Sequence, residues 1–360
     1  MNKREEIFVN HYQNKDRYEI IARLHDACNL RCDFCLYSLY DIKKATTPIK
    51  LEEIQKVIDN FEKIVKENIS YKFFSCHIFG GELFSDNIPD EAVKKYYEYF
   101  ENCKHVCEKY GKDFELAVVT NLIHHNTEKL TNFITNVKNN ICKNITLLAS
   151  FDFYGRFHNK LEIDLFMKNF SYYHSKGFIG AIGFVLTKQC IDIMLGHTED
   201  KLHLLEAFNK IYNSCPVTFN WYEESNTLID MLPTEQDIVD WYKYVLVHYP
   251  KIREVGKVLA GVPTKDRYCT VNCTFNSSDG WITCEDKALA KPDIFESSKY
   301  ESRPLYFLNR YKCDTCKYFT RCISGCPLAL SNTRMKRLDH CMFREIIEYA
   351  DSLKEKEKQL

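Results

Sequence analysis

Hydrophobic positions along this chain alternate between two periods, and the alternation predicts its secondary structure. Short apolar runs predict strands, and stretches in which apolar residues recur every three or four positions predict amphipathic helices. The stretch 51–68, for example, carries Ile54, Val57, Ile58 and Phe61 on one helical stripe. The predicted strands are 18–24, 71–79, 114–120, 145–152, 179–186 and 217–222. The predicted helices are 51–68, 90–110, 128–138, 161–175, 201–212 and 235–248.

Strands that alternate with amphipathic helices indicate parallel pairing with right-handed crossovers. The pattern contains six such units, too few for a closed eight-stranded barrel. It therefore predicts an α/β fold, a partial (β/α)6 TIM-like barrel, with catalytic loops at the carboxyl ends of the strands. A flavodoxin-like open sheet is the alternative that periodicity alone leaves open.

Composition and charge exclude several classes of protein. The 360 residues carry a formal net charge of −1, so there is no basic excess to neutralise nucleic-acid phosphates. No signal-peptide run opens the chain and no window holds 18 apolar residues in succession, so we expect a cytoplasmic protein without a membrane span. A cytoplasmic chain with 17 cysteines is expected to bind metal rather than to form disulfides.

Three cysteines follow the first predicted strand at the spacing C-x3-C-x2-C: Cys28, Cys32 and Cys35. Soft thiolates suit iron, and three of them on a short loop can hold three corners of a cubane iron–sulfur cluster. The fourth iron would then lack a protein ligand and could bind an outside molecule. A three-cysteine zinc site and a chance cluster are the alternatives.

A second group of cysteines lies after residue 248, where the β-α pattern stops. Four of them have the spacing C-x2-C-x5-C-x3-C, and four more surround that segment. Together the eight are Cys269, Cys273, Cys284, Cys313, Cys316, Cys322, Cys326 and Cys341. Eight thiolates can ligate two complete 4Fe–4S clusters. A pair of zinc ribbons is the structural alternative.

With these two cysteine patterns, residues 18–345 resemble the radical S-adenosylmethionine (SAM) superfamily, specifically its SPASM subgroup of peptide- and protein-modifying maturases. The chain is similar to the anaerobic sulfatase-maturating enzymes of that subgroup. The resemblance implies that SAM chelates the open iron of the first cluster. One electron then cleaves SAM to methionine and a 5′-deoxyadenosyl radical, which takes a hydrogen atom from substrate.

The resemblance also implies which residues bind the cofactors. The Gly-Gly-Glu motif at the second strand end would receive the amino group of SAM, Ser150 and Asp152 its ribose or carboxylate, and the Phe34 backbone its adenine. The residues implied for SAM are Phe34, Gly80, Gly81, Glu82, Ser150 and Asp152. One auxiliary cluster would take Cys269, Cys273, Cys284 and Cys326, and the other Cys313, Cys316, Cys322 and Cys341. The expected cofactors are thus SAM and three 4Fe–4S clusters, one binding SAM and two auxiliary.

Catalytic residues are implied at three further positions. Glu285 follows the ligand Cys284, where sulfatase-maturating relatives carry an aspartate proposed as the base, and Asp286 is next. Tyr37 matches a tyrosine of those enzymes. A solvated acid pair in a loop is the alternative for Glu285 and Asp286.

We therefore predict a radical SAM oxidoreductase that forms a thioether or carbon–carbon cross-link, or oxidises a residue, in a peptide or protein. Three alternatives are a formylglycine-generating sulfatase maturase, a small-molecule radical SAM dehydrogenase, and an electron carrier with three clusters. Expected partners are the peptide or protein substrate and a reducing flavodoxin or ferredoxin. Because only 16 residues precede the barrel, leader-peptide recognition would fall to a separate protein or to the barrel itself.

The expected domain order is an N-terminal extension (1–16), the radical SAM barrel (17–250), the SPASM domain (251–345) and a charged helical tail with a solvated face (346–360). The remaining cysteines are expected to pack in the core: Cys76, Cys103, Cys107, Cys142, Cys190 and Cys215. His124 and His125 are expected in a loop rather than as metal ligands.

Overall fold

The computed structural model describes residues 16–35, 48–198, 201–222, 229–262, 273–277, 280–283, 315–318, 321–322 and 341–357. The strands are β1 (Arg17–Arg23), β2 (Phe73–Phe79), β3 (Asp113–Thr120), β4 (Ile145–Ser150), β5 (Ile179–Leu186), β6 (Val217–Trp221), β7 (Cys273–Ser277) and β8 (Gly280–Thr283). The helices are α1 (Leu51–Glu67), α2 (Asp90–Lys109), α3 (Thr127–Asn140), α4 (Lys160–Ser175), α5 (Lys188–Met194), α6 (Leu202–Ser214), α7 (Glu235–His248), α8 (Arg253–Ala260) and α9 (Met342–Glu357).

The sheet confirms the predicted fold class. Its strand order is β6-β5-β4-β3-β2-β1-β7-β8, and β1 to β6 form a curled half-barrel of parallel strands. A flavodoxin-like sheet reverses its strand order at a switch point, whereas here β1 to β6 follow one another without reversal. The open-sheet alternative is therefore wrong. Two strands that the sequence pattern did not predict extend the sheet, β7 parallel to β1 and β8 antiparallel to β7.

The chain divides into two compact units. The first comprises Asn14–Ile182 and Asn272–Cys284, and it contains the cysteine triad and the Gly-Gly-Glu motif. The second comprises Met1–Gln13, Gly183–Val271 and Glu285–Leu360. The domain boundaries expected from the sequence stay a prediction.

The two faces of the sheet in the first unit differ in polarity. One face is fully buried and packs on helices; it includes Ile20, Phe74, Cys76 and Val118, each at most 1% exposed. The opposite face, which we call the inner face, carries polar residues on three neighbouring strands. These are Arg17 and Glu19 on β1, Ser75 and His77 on β2, and Glu115 on β3. The register aligns Glu19 with Ser75 and Ser75 with Glu115, so these side chains share one row.

Helix ends follow local capping chemistry. The side chain of Asn126 caps α3, and that of Asn159 caps α4. The predicted capping box of α7 is confirmed, with Thr234 and Asp237 each bonding the other's backbone. The helices α5 and α8 were not predicted, because each is at most eight residues long and offers little periodicity.

The C-terminal helix corrects the expectation of a solvated tail. Ile346, Ile347 and Ala350 of α9 are at most 1% exposed, so one face of this helix is buried. Within the same unit, Lys243 of α7 pairs with Glu345 at 2.7 Å. The charged residues that suggested a solvated tail lie on the other face of an amphipathic helix.

Four of the six remaining cysteines confirm the core-packing prediction: Cys76, Cys103, Cys107 and Cys190 are buried, whereas Cys142 and Cys215 are half-buried. Burial raises the pKa of Cys76 and Cys103, which keeps these thiols protonated and inert. Within the described parts of the chain, no helix is long and apolar enough to cross a membrane.

His124 links the loop after β3 to α4 and makes folding sensitive to acid. Its Nε2 lies 2.7 Å from the Tyr173 hydroxyl, and burial lowers its pKa to about 4. The unfolded chain binds this proton near pH 6.5, so stability falls as pH drops from 6.5 towards 4. We expect the wild type to lose about 2 kcal/mol more than His124→Gln between pH 7 and pH 5. Urea unfolding at both pH values measures this difference.

The matched control is His105→Gln, because His105 is exposed and its removal should leave the acid sensitivity unchanged. Equal pH dependence of the wild type and His124→Gln would contradict the assignment.

Candidate active site

The loop that follows β1, residues 24–35, places the three predicted cluster cysteines around one cavity. We call it the cysteine loop. The cavity lies at the carboxyl ends of β1 to β4, where ligands of parallel α/β folds bind. It is lined by Asp26, Cys28, Leu30, Cys32, Phe34, Cys35, Phe79, Gly80, Gly81, Val119, Thr120, Asn121, Ser150 and Arg156.

The end of β2 forms the first support of this loop. The backbone N–H of Gly81 donates to the carbonyl of His25 at 2.9 Å, and that of Glu82 donates to the carbonyl of Ala27 at 2.8 Å. A Cβ on Gly81 would lie 2.3 Å from the Ala27 carbonyl oxygen, and one on Gly80 would lie 2.5 Å from that of His25. Both positions therefore require glycine, because the two backbones lie too close for a side chain.

Glu82 is buried and its carboxylate already has three hydrogen-bond donors. Oε1 accepts from the Thr120 hydroxyl and the Phe84 N–H, each at 3.0 Å, and Oε2 accepts from the Asn121 N–H at 2.6 Å. Burial raises the pKa of Glu82, while these donors oppose the rise. The side chain thus joins the ends of β2 and β3. Its predicted contact with SAM stays a prediction.

The end of β3 provides the second support through two asparagines. The side-chain amide of Asn121 donates to Oδ1 of Asn29 in the cysteine loop at 2.9 Å. Asn29 in turn donates to the Ile123 carbonyl, and the Ile123 N–H donates to Oδ1 of Asn121 at 2.8 Å. Leu122 between them has a positive φ of 57°, a strained conformation that turns the chain at this point.

The loop after β4 provides the third support. The Asp33 N–H donates to the Gly155 carbonyl at 2.8 Å, and Nε2 of His158 donates to the Arg31 carbonyl at 3.0 Å. Gly155 has a φ of 74°, and a Cβ there would lie 2.9 Å from Cβ of Asp33. The ends of three strands thus hold the cysteine loop.

Arg156 is the residue of this site that the sequence analysis missed. Its guanidinium lines the cavity, pairs with the buried carboxylate of Asp152 and lies 5.4 Å from the centroid of the Phe34 ring. Burial by itself lowers the pKa of Arg156, but the charges of Asp152 and Cys32 outweigh it and raise the pKa, so the group stays cationic. A basic residue six positions after Ser150 was the only sequence signal.

Burial favours the protonated form of the thiols of Cys28 and Cys32. Burial raises the pKa of Cys28 to about 11 and that of Cys32 to about 12, while the charge of Arg156 lowers both. Bound iron would replace the protons and stabilise the thiolates. Among the described residues, no three side chains converge on a point suited to a single metal ion. In a cubane each thiolate would bind a different iron.

Most of the residues predicted for SAM lie together. Phe34, Gly80, Gly81 and Ser150 line the cavity with the three cysteines, whereas the Asp152 carboxylate is paired with Arg156 beside it. The predicted catalytic residues and several auxiliary ligands lie outside the described residues: Tyr37, Glu285, Asp286, Cys269, Cys284, Cys313 and Cys326.

The other auxiliary ligands are described in part. Cys273 begins β7, where its backbone aligns with Glu19 of β1. Cys316, Cys322 and Cys341 belong to the second unit and are half-buried. Burial is the main cause that raises the pKa of Cys341. The assignment of Cys316, Cys322 and Cys341 to one cluster stays a prediction.

Comparisons with known proteins agree on the fold. A structure of anSMEcpe, an anaerobic sulfatase-maturating enzyme of the SPASM radical SAM type, with bound AdoMet has a TM-score of 0.59 at 15% identity, covering 94% of this chain and 97% of that chain. Another, with AdoMet and Cp18Cys peptide, has a TM-score of 0.59 at 16% identity and the same coverage. SuiB of Streptococcus suis bound to S-adenosylmethionine has a TM-score of 0.49 at 18% identity, covering 90% of this chain and 76% of that chain.

No protein-family profile matches the chain, and no curated protein matches its sequence. The likeness to anSMEcpe extends over almost the whole of both chains. The resemblance that the cysteine motifs indicated is therefore confirmed at the level of the fold.

Proposed function

We propose that this protein is a radical SAM enzyme that modifies a side chain of a peptide or protein. The observation that carries the proposal is the cavity at the strand ends, which three cysteines line together with the glycine pair and an arginine whose side chain is 11% exposed. The fold common to this chain and anSMEcpe, solved with AdoMet and a peptide, supports the same conclusion.

The cysteine loop would hold a 4Fe–4S cluster through Cys28, Cys32 and Cys35. When bound, the cluster supplies the electron that splits SAM, and SAM supplies the radical that removes a hydrogen atom from substrate. The protein's part is to place the two groups together and to exclude water. Three strand ends hold the cysteine loop that carries the three thiols.

Arg156 would bind the carboxylate of SAM. It is the cationic side chain in the wall of this cavity, and the low dielectric of a buried site strengthens its attraction for a carboxylate. The half-buried backbone at Gly80 and Gly81 and the Ser150 hydroxyl, all of which line the cavity, offer oxygens for the amino and ribose groups. The ion pair with Asp152 orients the guanidinium of Arg156.

The reaction that we propose is an oxidation of the substrate side chain, which yields either a cross-link or an oxidised residue. Two auxiliary clusters in the cysteine-rich region would accept the electron that this oxidation releases. A flavodoxin or ferredoxin would reduce the first cluster, and a separate protein would present a leader peptide. Formylglycine formation on a sulfatase is the second candidate, which the likeness to anSMEcpe favours.

The test is anaerobic incubation of the iron- and sulfide-loaded full chain with SAM and dithionite, followed by mass spectrometry. We expect 5′-deoxyadenosine and methionine even without substrate. With peptides encoded beside the gene, we expect loss of two hydrogens from the peptide. Conversion of a cysteine to an aldehyde in a sulfatase peptide would favour the second candidate.

Arg156→Gln should raise the SAM concentration needed for half-maximal cleavage about tenfold, because the cation that would bind the SAM carboxylate is lost. The surface variant Lys160→Gln should leave that concentration unchanged. No 5′-deoxyadenosine from the wild type would overturn the proposal.

A further inference from the structure

The cavity at the strand ends has an acidic wall residue that belongs to no sequence motif. Asp26 lies in the cysteine loop, two residues before Cys28, and lines the cavity. Its backbone lies against the glycine pair, since a Cβ on Gly81 would be 2.5 Å from the Asp26 carbonyl oxygen. Among the described residues that line the cavity, Asp26 carries the one carboxylate. It therefore adds a negative charge beside the cysteines and the glycine pair.

One oxygen of the Asp26 carboxylate is held by the protein, and the other is available. Oδ1 accepts from Nε of Arg23 at 2.7 Å and also from Nη2 of the same guanidinium. Within the described parts of the chain, no group donates to Oδ2. The side chain of Asp26 is 22% exposed. The pair with Arg23 thus fixes the carboxylate and leaves Oδ2 for a donor that enters the cavity.

Two ion pairs border the cavity in opposite orientations. Asp26 lines it and its partner Arg23 does not, whereas Arg156 lines it and its partner Asp152 does not. The first pair therefore offers the cavity an anion and the second a cation. They lie in the loops after β1 and β4, strands that β2 and β3 separate in the sheet. A ligand in the cavity meets opposite charges at two separate places.

The amino-acid end of SAM carries the two groups that fit these charges. Its carboxylate suits a guanidinium, and its amino group suits a carboxylate. The amino group has N–H donors whether it is protonated or neutral, so Oδ2 of Asp26 can accept from either form. Glu82, the carboxylate that the Gly-Gly-Glu motif suggested for this group, is 1% exposed and does not line the cavity.

We propose that Asp26 accepts a hydrogen bond from the α-amino group of SAM through Oδ2, and that Arg23 is its positioning residue. The inference rests on the proposed function, in which Arg156 binds the carboxylate of the same molecule. Together the two ion pairs select a ligand that has both groups. A sulfonium without the amino group loses the bond to Asp26, and one without the carboxylate loses the bond to Arg156.

The test measures binding rather than turnover. The iron- and sulfide-loaded full chain is titrated in an anaerobic calorimeter without reductant, so that SAM is bound but not cleaved. The ligands are SAM, decarboxylated SAM and the analogue in which hydrogen replaces the α-amino group. Each variant's Kd is compared with the wild-type Kd for the same ligand, because the analogues differ from SAM in their own affinity.

Asp26→Asn keeps an oxygen for Arg23 but loses the charged acceptor. We expect its Kd to rise about tenfold for SAM and decarboxylated SAM, and less than about twofold for the analogue without the amino group. Asp26→Ser and Arg23→Gln should weaken the same two ligands. Arg156→Gln should show the crossed pattern and spare decarboxylated SAM alone. Asp164→Asn, an exposed acid of α4, is the control and should change none of the three.

The selectivity of the loss decides between ligand binding and support of the loop. If Asp26→Asn and Asp26→Ser weakened all three ligands equally, Asp26 would only hold the cysteine loop and the inference would be wrong. Wild-type affinity for SAM in both variants would also overturn it and leave the proposed function intact. A wild type that bound no SAM would overturn both proposals together.

Discussion

Replacement of Cys32 by alanine should abolish cleavage of SAM. Cys32 is 7% exposed, and its thiol lines the cavity between those of Cys28 and Cys35. Its loss leaves two thiolates for a cluster that needs three from the protein, so the reconstituted variant should lose the iron of that cluster. Iron analysis and quantification of 5′-deoxyadenosine by mass spectrometry measure the two effects.

The matched control is Cys215→Ser, because Cys215 is half-buried at the end of α6, in the unit that does not hold the cavity. It should retain the iron content and SAM cleavage of the wild type. Wild-type 5′-deoxyadenosine formation by Cys32→Ala would show that these three thiols do not hold the cluster.

Gly81→Ala should have an effect of similar size through the backbone alone. The new methyl would lie 2.3 Å from the carbonyl oxygen of Ala27 and 2.5 Å from that of Asp26. Neither carbonyl oxygen can move away unless the cysteine loop moves as well. That movement would break the hydrogen bond from the Gly81 N–H to the His25 carbonyl. We expect overpacking to cost about 3 kcal/mol of stability, together with loss of SAM binding in isothermal titration.

Gly183→Ala is the matched control for a glycine replaced within the sheet. Its Cβ would meet its nearest neighbours at 3.8 Å, an ordinary contact distance, so stability should change little. If Gly81→Ala bound SAM as the wild type does, the close approach of the two backbones would not be needed for the site.

Glu82 shows where sequence reasoning reached its limit. The motif identified the residue and the strand end it occupies, but it suggested a carboxylate open to a ligand. In the structure that carboxylate accepts hydrogen bonds from Thr120, Asn121 and Phe84. Two of these donors lie at the end of another strand, and no local sequence pattern indicates which strand end will be the neighbour.

Arg156 makes the same point from the opposite direction. It belongs to no motif, and Phe34, which its guanidinium approaches, lies far away in the chain. Arg156 meets Phe34 only because the loop after β4 supports the cysteine loop. Sequence separation hides such pairs, whereas the parallel register brings them together.

By itself the sequence determined the half-barrel, the cysteine triad and the place of the glycine pair. These depend on the periodicity and spacing of residues that are close together in the chain, and both can be read directly from the sequence. The tertiary structure decided which strand ends hold the cysteine loop and which charge lies beside its thiols. Those outcomes depend on hydrogen bonds between separate strands, and only the folded sheet sets which groups stand within 3 Å of one another.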